Sequence, residues 1–391
     1  VVSVATAAVL DLAGLQALID ALRERGYTVL GPVVRDGAVA PSPVTSVDEL
    51  PRGWGDEQES AFYRLRRRGD DALFGFASGA QSWKPVLFPA RQLLWQGRRT
   101  DDGFTVEESP DAGSRYGRPP YALLGVRSCD LHAIGIHDRV LLDRAGADAH
   151  YAAARQEAFV VAVACSDPAG TCFCLSMRTG PRPASGFDLC LTEIGTAANG
   201  HRLLVEVGSD RGDEILAALP VELVAVADEA HRAAAARVTE VAAARMGREL
   251  DTDGLRDVLY AGAESPRWDD VAARCLACTN CTLVCPTCFC TSVDDESDLT
   301  GDTASRVRSW DSCFTGDFSH LHGGSVRASV RSRYRQWATH KLASWIDQFG
   351  TSGCVGCGRC ITWCPAAIDI TAEAAAVRAD PGPSTAAAEG D

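Results

Sequence analysis

The sequence predicts an α+β protein: an α/β-like N-terminal domain followed by a C-terminal domain organised around cysteine loops. Two observations carry this. Over roughly residues 1–260, apolar strand-like segments alternate with helical ones, the pattern of a layered α/β unit. From about residue 265 the periodicity gives way to two runs, Cys275, Cys278, Cys281, Cys285 with Pro286, and Cys354, Cys357, Cys360, Cys364 with Pro365. Both are spaced C-x2-C-x2-C-x3-C-P. The expected domains are 1–262, then 263–371 with an insert at 286–353, then a flexible tail over 372–391.

In chain order, 11–25 reads as an amphipathic helix, because Leu12, Leu15, Leu18, Ile19 and Leu22 share a face, Asp11 can cap it and Gly26 can end it. A strand over 28–34 follows, and the Pro- and Gly-bearing stretch 37–55 reads as loop. Buried strands are expected over 122–126, 159–164, 203–207 and 223–226, with helices over 143–158 and 228–250. The Ala/Pro/Gly-rich end after residue 371 reads as disordered or as an arm over a partner.

The spacing of the runs is that of bacterial-type two-cluster ferredoxins, so the C-terminal part is expected to be a split two-cluster ferredoxin-like domain holding 4Fe–4S clusters. A cubane needs four thiolates converging on one small object. Two-residue gaps let a tight loop wrap it with amides turned toward the sulfides. In such runs the fourth cysteine ligates the other cluster. One set is then Cys275, Cys278, Cys281 and Cys364; the other is Cys354, Cys357, Cys360 and Cys285, related by pseudo-twofold symmetry. Gly356 and Gly358 are expected to let the second loop approach its cluster closely. Zinc sites use CxxC pairs, but two full copies with a terminal proline go beyond that need. The C-x3-C-x2-C of Cys281, Cys285 and Cys288 matches a radical-SAM pattern, yet reuses cysteines the longer run claims. Dense two-residue gaps also suit metal better than disulfides. Gly353, Gly356 and Gly358 imitate a dinucleotide fingerprint, but cysteines interleave them and no strand precedes.

Composition narrows the class. The 391 residues include 16 cysteines and carry a formal charge of −14. That length suits two or more domains, the cysteines suggest metal binding in a reducing, cytoplasmic setting, and the charge argues against general nucleic-acid binding. The longest apolar runs are too short to span a bilayer, and the N-terminus lacks the basic region of a signal peptide.

Eight cysteines lie outside the runs. Cys129 and Cys165 are each expected to end a strand, where α/β sheets gather ligands, and Cys172 and Cys174 come shortly after; these four are a candidate third cluster site, with buried, inert thiols as the other reading. The Thr-Cys-Phe-Cys unit returns at Thr287 to Cys290, so Cys288, Cys290 and Cys313 offer three more thiols without an obvious fourth, and another cluster there is a second hypothesis. Cys190 looks structural. The insert is expected to form a helix across the cluster domain, and its basic stretch (Arg327, Arg331, Arg333, Arg335, Lys341) reads first as a solvated face or subunit interface, and second as a site for an acidic partner or cofactor phosphate. His132, His137, His320, His322 and His340 show no metal spacing and read as surface or hydrogen-bonding residues. No nucleophile elbow, P-loop or Rossmann fingerprint occurs, so no catalytic residue is assigned.

Several segments together resemble one family: Gly125-Val-Arg-Ser-Cys-Asp-Leu-His-Ala-Ile134, Cys172-Phe-Cys174 with Thr179-Gly-Pro181, Cys285-Pro-Thr-Cys-Phe-Cys290, Trp310-Asp-Ser-Cys313 and Gly353-Cys-Val-Gly-Cys-Gly-Arg-Cys360. They are similar to the iron–sulfur β subunit of cytoplasmic sulfhydrogenase-type nickel–iron hydrogenases, with the A subunit of anaerobic sulfite reductase a close relative. The resemblance covers roughly residues 80–370. It implies a non-catalytic relay, passing electrons from a flavin- and NAD(P)H-binding subunit to the small and large subunits of a nickel–iron hydrogenase. A different reading gives the chain its own flavin or substrate site at the N-terminal sheet edge.

Overall fold

The computed structural model describes residues 7–108, 120–142, 146–195 and 200–382. Its N-terminal part is a mixed eight-stranded sheet. Strands Thr28–Arg35, Tyr121–Val126, Phe159–Val163 and Leu189–Gly195 run parallel at its centre. Antiparallel strands Ala38–Pro43 on one side, and Arg202–Val207, Ala7–Leu10 and Ala225–Val226 on the other, complete it. The central strands are apolar on both faces because both are covered. Ala122, Leu124, Val161 and Val163 pack with Leu15, Leu18, Ile19 and Leu22 of helix Leu12–Glu24. Leu123, Val126, Val160 and Ala162 pack with Leu131 and Ile134 of helix Ser128–Leu141.

The first helix follows its sequence signals: Asp11 caps it by accepting from Gly14 N at 2.8 Å. Several local expectations need correction. Stretch 37–55 contains strand Ala38–Pro43; Pro41 and Pro43 fit there because the strand is a sheet edge, where a missing N–H costs little. Over 223–226 only Ala225–Val226 is extended, and both residues are exposed, after a 3-10 turn Val221–Leu223. Of 143–158, residues 143–145 lie outside the described residues and the helix is Ala149–Glu157, capped by Asp148. The helix expected over 228–250 ends at Ala244.

A second, antiparallel sheet joins distant parts of the chain. Strands Arg91–Thr100 and Gly103–Glu108 continue into Thr303–Trp310 and Thr291–Ser297, which belong to the insert. The insert is therefore first a β-hairpin, and only later the expected helix, Val330–Thr339, which continues through a π-helical turn His340–Ser344 into Trp345–Phe349. This helix packs Tyr334 and Trp337 into a core with Trp268, Phe314, Ile361 and Ile370, around the cysteine loops. The segment read as a tail begins with helix Ile370–Ala379. Its alanines favour helix, and Ile370, Ala374 and Val377 are buried in that same core; residues 383–391 lie outside the described residues. No helix among the described residues is long and apolar enough to cross a membrane.

Candidate metal centres

The two cysteine runs fold into loops with the same local geometry. Ala277 and Thr279 have φ of 49° and 67°, and Gly356 and Gly358, at the equivalent positions, have 65° and 72°. Each loop leads into a short helix, Asn280–Leu283 or Arg359–Thr362. Ala277 N donates to Cys275 Sγ and Gly356 N to Cys354 Sγ, each at 3.4 Å. Such alternation of backbone hand turns amides inward and compensates negative charge on sulfur. Ile368 N donates likewise to Cys364 Sγ at 3.4 Å.

Gly356 and Gly358 answer a demand beyond closeness to a cluster. A Cβ on Gly356 would lie 2.7 Å from Cys174 N, and one on Gly358 would lie 2.4 Å from Thr171 O. The backbone of 171–174 packs directly on the second loop: Phe173 N donates to Gly356 O at 2.8 Å. Thr171 Oγ1 meets Thr362 Oγ1 at 2.7 Å, and Thr179 Oγ1 donates to Val355 O at 2.6 Å. Arg359, on the short helix, pairs with Asp130 of the N-terminal part, Nη1 to Oδ1 2.9 Å, and donates from Nε to Gly79 O at 2.9 Å.

Cys275, Cys278, Cys281 and Cys364 line one small cavity, together with Cys360 and walls from Phe314, Tyr334 and Trp337. Cys285, Cys354, Cys357 and Cys360 form a neighbouring group. Burial pushes the Cys360 thiol well up, and Cys354, Cys357 and Cys285 add to the rise. Cys354 is pushed up to about 12, chiefly by burial. Buried thiols that repel one another as anions become thiolates only against strong positive charge, which iron supplies.

The N-terminal cysteines also meet here. Cys129 lies in the first turn of helix Ser128–Leu141 rather than at a strand end, and Cys165 follows strand Phe159–Val163. Burial raises the thiols of all four, and neighbouring thiols add to three of these rises: Cys165 and Cys357 weigh on Cys172 and Cys174, while Cys174 and Cys357 weigh on Cys129. Cys172 Sγ lies 3.8 Å from Cys357 O. Cys190 is buried in the sheet core. Among the histidines, His137 is buried against Phe88 and Tyr151 rather than at the surface.

Two cations were not evident from sequence. Lys341, on the π-helical turn, is 5 % exposed, and its Nζ lies 3.2 Å from Cys285 Sγ and 3.0 Å from Thr287 Oγ1. It departs from the solvated face expected of its neighbours, since Arg331 and Arg335 do form outer ion pairs with Glu264. Lys84 is buried too, with Nζ 3.4 Å from the carbonyls of Leu283 and Cys288 and 3.8 Å above the Trp310 ring. A basic residue within an otherwise apolar helix face, as in Lys341-Leu-Ala, was the available signal.

The family model for a 4Fe-4S dicluster domain matches residues 274–368. Over 250 residues the chain is 35% identical to Sulfhydrogenase 2 subunit beta of Pyrococcus furiosus, an alignment covering 64% of this chain and 71% of that protein.

Proposed function

We propose that this chain, which belongs to the sulfhydrogenase beta-type family of iron–sulfur electron-transfer subunits, relays electrons between a flavin- and NAD(P)H-binding subunit and a nickel–iron hydrogenase module in a cytoplasmic complex. The chain carries 4Fe–4S clusters, which when bound take up and release single electrons. The reading rests above all on the matched geometry of the two loops, with positive φ and amide-to-sulfur bonds at equivalent positions.

Cys275, Cys278, Cys281 and Cys364 would hold one cluster, and Cys354, Cys357, Cys360 and Cys285 a second. Cys129, Cys165, Cys172 and Cys174 would hold a third, beside Cys357. Cys278 is exposed, with Leu276 67% exposed next to it, so the first set lies where a redox partner can approach. In the second set Cys285 is buried and Cys354, Cys357 and Cys360 are half-buried; Cys360 lines the cavity of the first set, and Cys357 O lies 3.8 Å from Cys172 Sγ. This order supports a path from surface to interior rather than a single isolated centre. Amides and Lys341 would stabilise the negative charge gained on reduction. The resemblance to sulfite reductase rests on the same motifs, and the matched relative's name favours the hydrogenase module.

The test is freeze-quench EPR on the anaerobically purified complex. Adding NAD(P)H or hydrogen should develop reduced-cluster signals that belong to this chain. Signals that stay silent while the partners' centres reduce would contradict the relay.

A further inference from the structure

Three thiols stand outside both the runs and the N-terminal group. Cys288, Cys290 and Cys313 line one cavity with Phe289, Trp337 and His340. The fold brings them together by a specific route. Cys288 and Cys290 follow the first run at once, and the pairing of Thr291 with Trp310 returns the chain so that Cys313 arrives beside Cys290. Asp311 N donates to Cys290 O at 2.8 Å. Ser312 Oγ meets Thr282 Oγ1 at 2.7 Å, fixing this corner to the first run.

The charge around the cavity is unbalanced as the protein stands. Lys341 and Lys84 are both buried, and neither has a carboxylate partner among the described residues. Buried ammonium groups are costly unless anions face them. Trp337 Nε1 is also buried at this wall without a hydrogen-bond partner. Cations and an idle donor around three thiols call for a polyanionic, soft occupant, and thiolates select zinc, copper(I) or iron–sulfur.

We propose that Cys288, Cys290 and Cys313 hold a further iron–sulfur cluster through three thiolates, leaving one iron facing the cavity for a small exchangeable ligand. No other thiol outside the two runs lines this cavity. Lys341 and Lys84 offset the cluster's charge from the side of Cys285. The site goes beyond the relay reading, and the two can fail separately, because the run clusters need none of these three cysteines.

The test compares the native chain with Cys290→Ser/Cys313→Ser in the intact complex. Iron and acid-labile sulfide should each fall by about four per chain, with the remaining cluster signals retained. Unchanged iron in a natively folded variant overturns the proposal. Should the variant lose all iron, mild ferricyanide oxidation of the native chain decides. Conversion of one cluster to a three-iron EPR signal, reversed by ferrous iron, supports an iron without thiolate; no conversion overturns it.

Discussion

Arg359 and Asp130 form a buried ion pair, with Nη1 2.9 Å from Oδ1 and Nη2 donating to Oδ2 at 3.0 Å, in which the two residues are 1% and 3% exposed. Arg359 stands between Cys357 and Cys360, and Asp130 follows Cys129. The pair thus ties the second cysteine loop to the first turn of helix Ser128–Leu141, which carries Cys129. Asp130→Ala should strand the guanidinium without its partner and cost about 3–5 kcal/mol, measured as the denaturation midpoint of the anaerobically purified chain. An effect below 1 kcal/mol would mean water reaches the pair.

Gly356 and Gly358 should be more sensitive than their counterparts. Ala277 and Thr279 show that a Cβ tolerates the positive φ itself, at about 1–2 kcal/mol. At Gly356 the added carbon also meets the Cys174 backbone, so Gly356→Ala should cost about 1–3 kcal/mol more. Thermal melting should show this loss, along with less iron bound, whereas Ala277→Gly, which relieves the positive φ, should melt no lower than the native chain.

Much of this was legible in the chain because it is encoded locally. Run spacing dictates loop geometry, and the cap and apolar period of Leu12–Glu24 dictate a helix. The second sheet was not legible. Its strands Thr303–Trp310 and Arg91–Thr100 carry several arginines and are half-exposed, and they pair although about two hundred residues separate them. The Arg359–Asp130 pair and Lys341 at Cys285 are likewise contacts between distant segments. Each of these residues alone looks like an ordinary surface charge.

Lys341→Met should make the second cluster harder to reduce. Its ammonium lies 3.2 Å from Cys285 Sγ and stabilises the more negative reduced state. A charged hydrogen bond of this kind is worth about 1.5–3 kcal/mol, and for one electron a loss of about 1.4 kcal/mol corresponds to about 60 mV. An EPR-monitored redox titration should show one midpoint moving down by that order. An unchanged or raised midpoint would exclude this role.

Stability should also respond to pH through Asp56. Burial pushes its carboxyl up to about 6, although Gln58 and the Ala77 amide donate to it and oppose the rise. Because its folded value exceeds the unfolded one, its contribution is fully present below pH 4 and is lost as pH rises through about 6. Two units correspond to about 3 kcal/mol. The difference between Asp56→Asn and native stability should therefore move in the variant's favour from pH 4 to pH 7, by up to that amount, in urea titrations. A constant difference across that range would show that Asp56 is solvated in the fold.

The most direct measurement of the relay is electron flow through the complex carrying Cys278→Ala or Cys357→Ala. Exchange between NAD(P)H and hydrogen should be abolished by either change, while dye-linked hydrogenase activity of the partner module remains. Survival of NAD(P)-linked turnover in both variants would contradict the account.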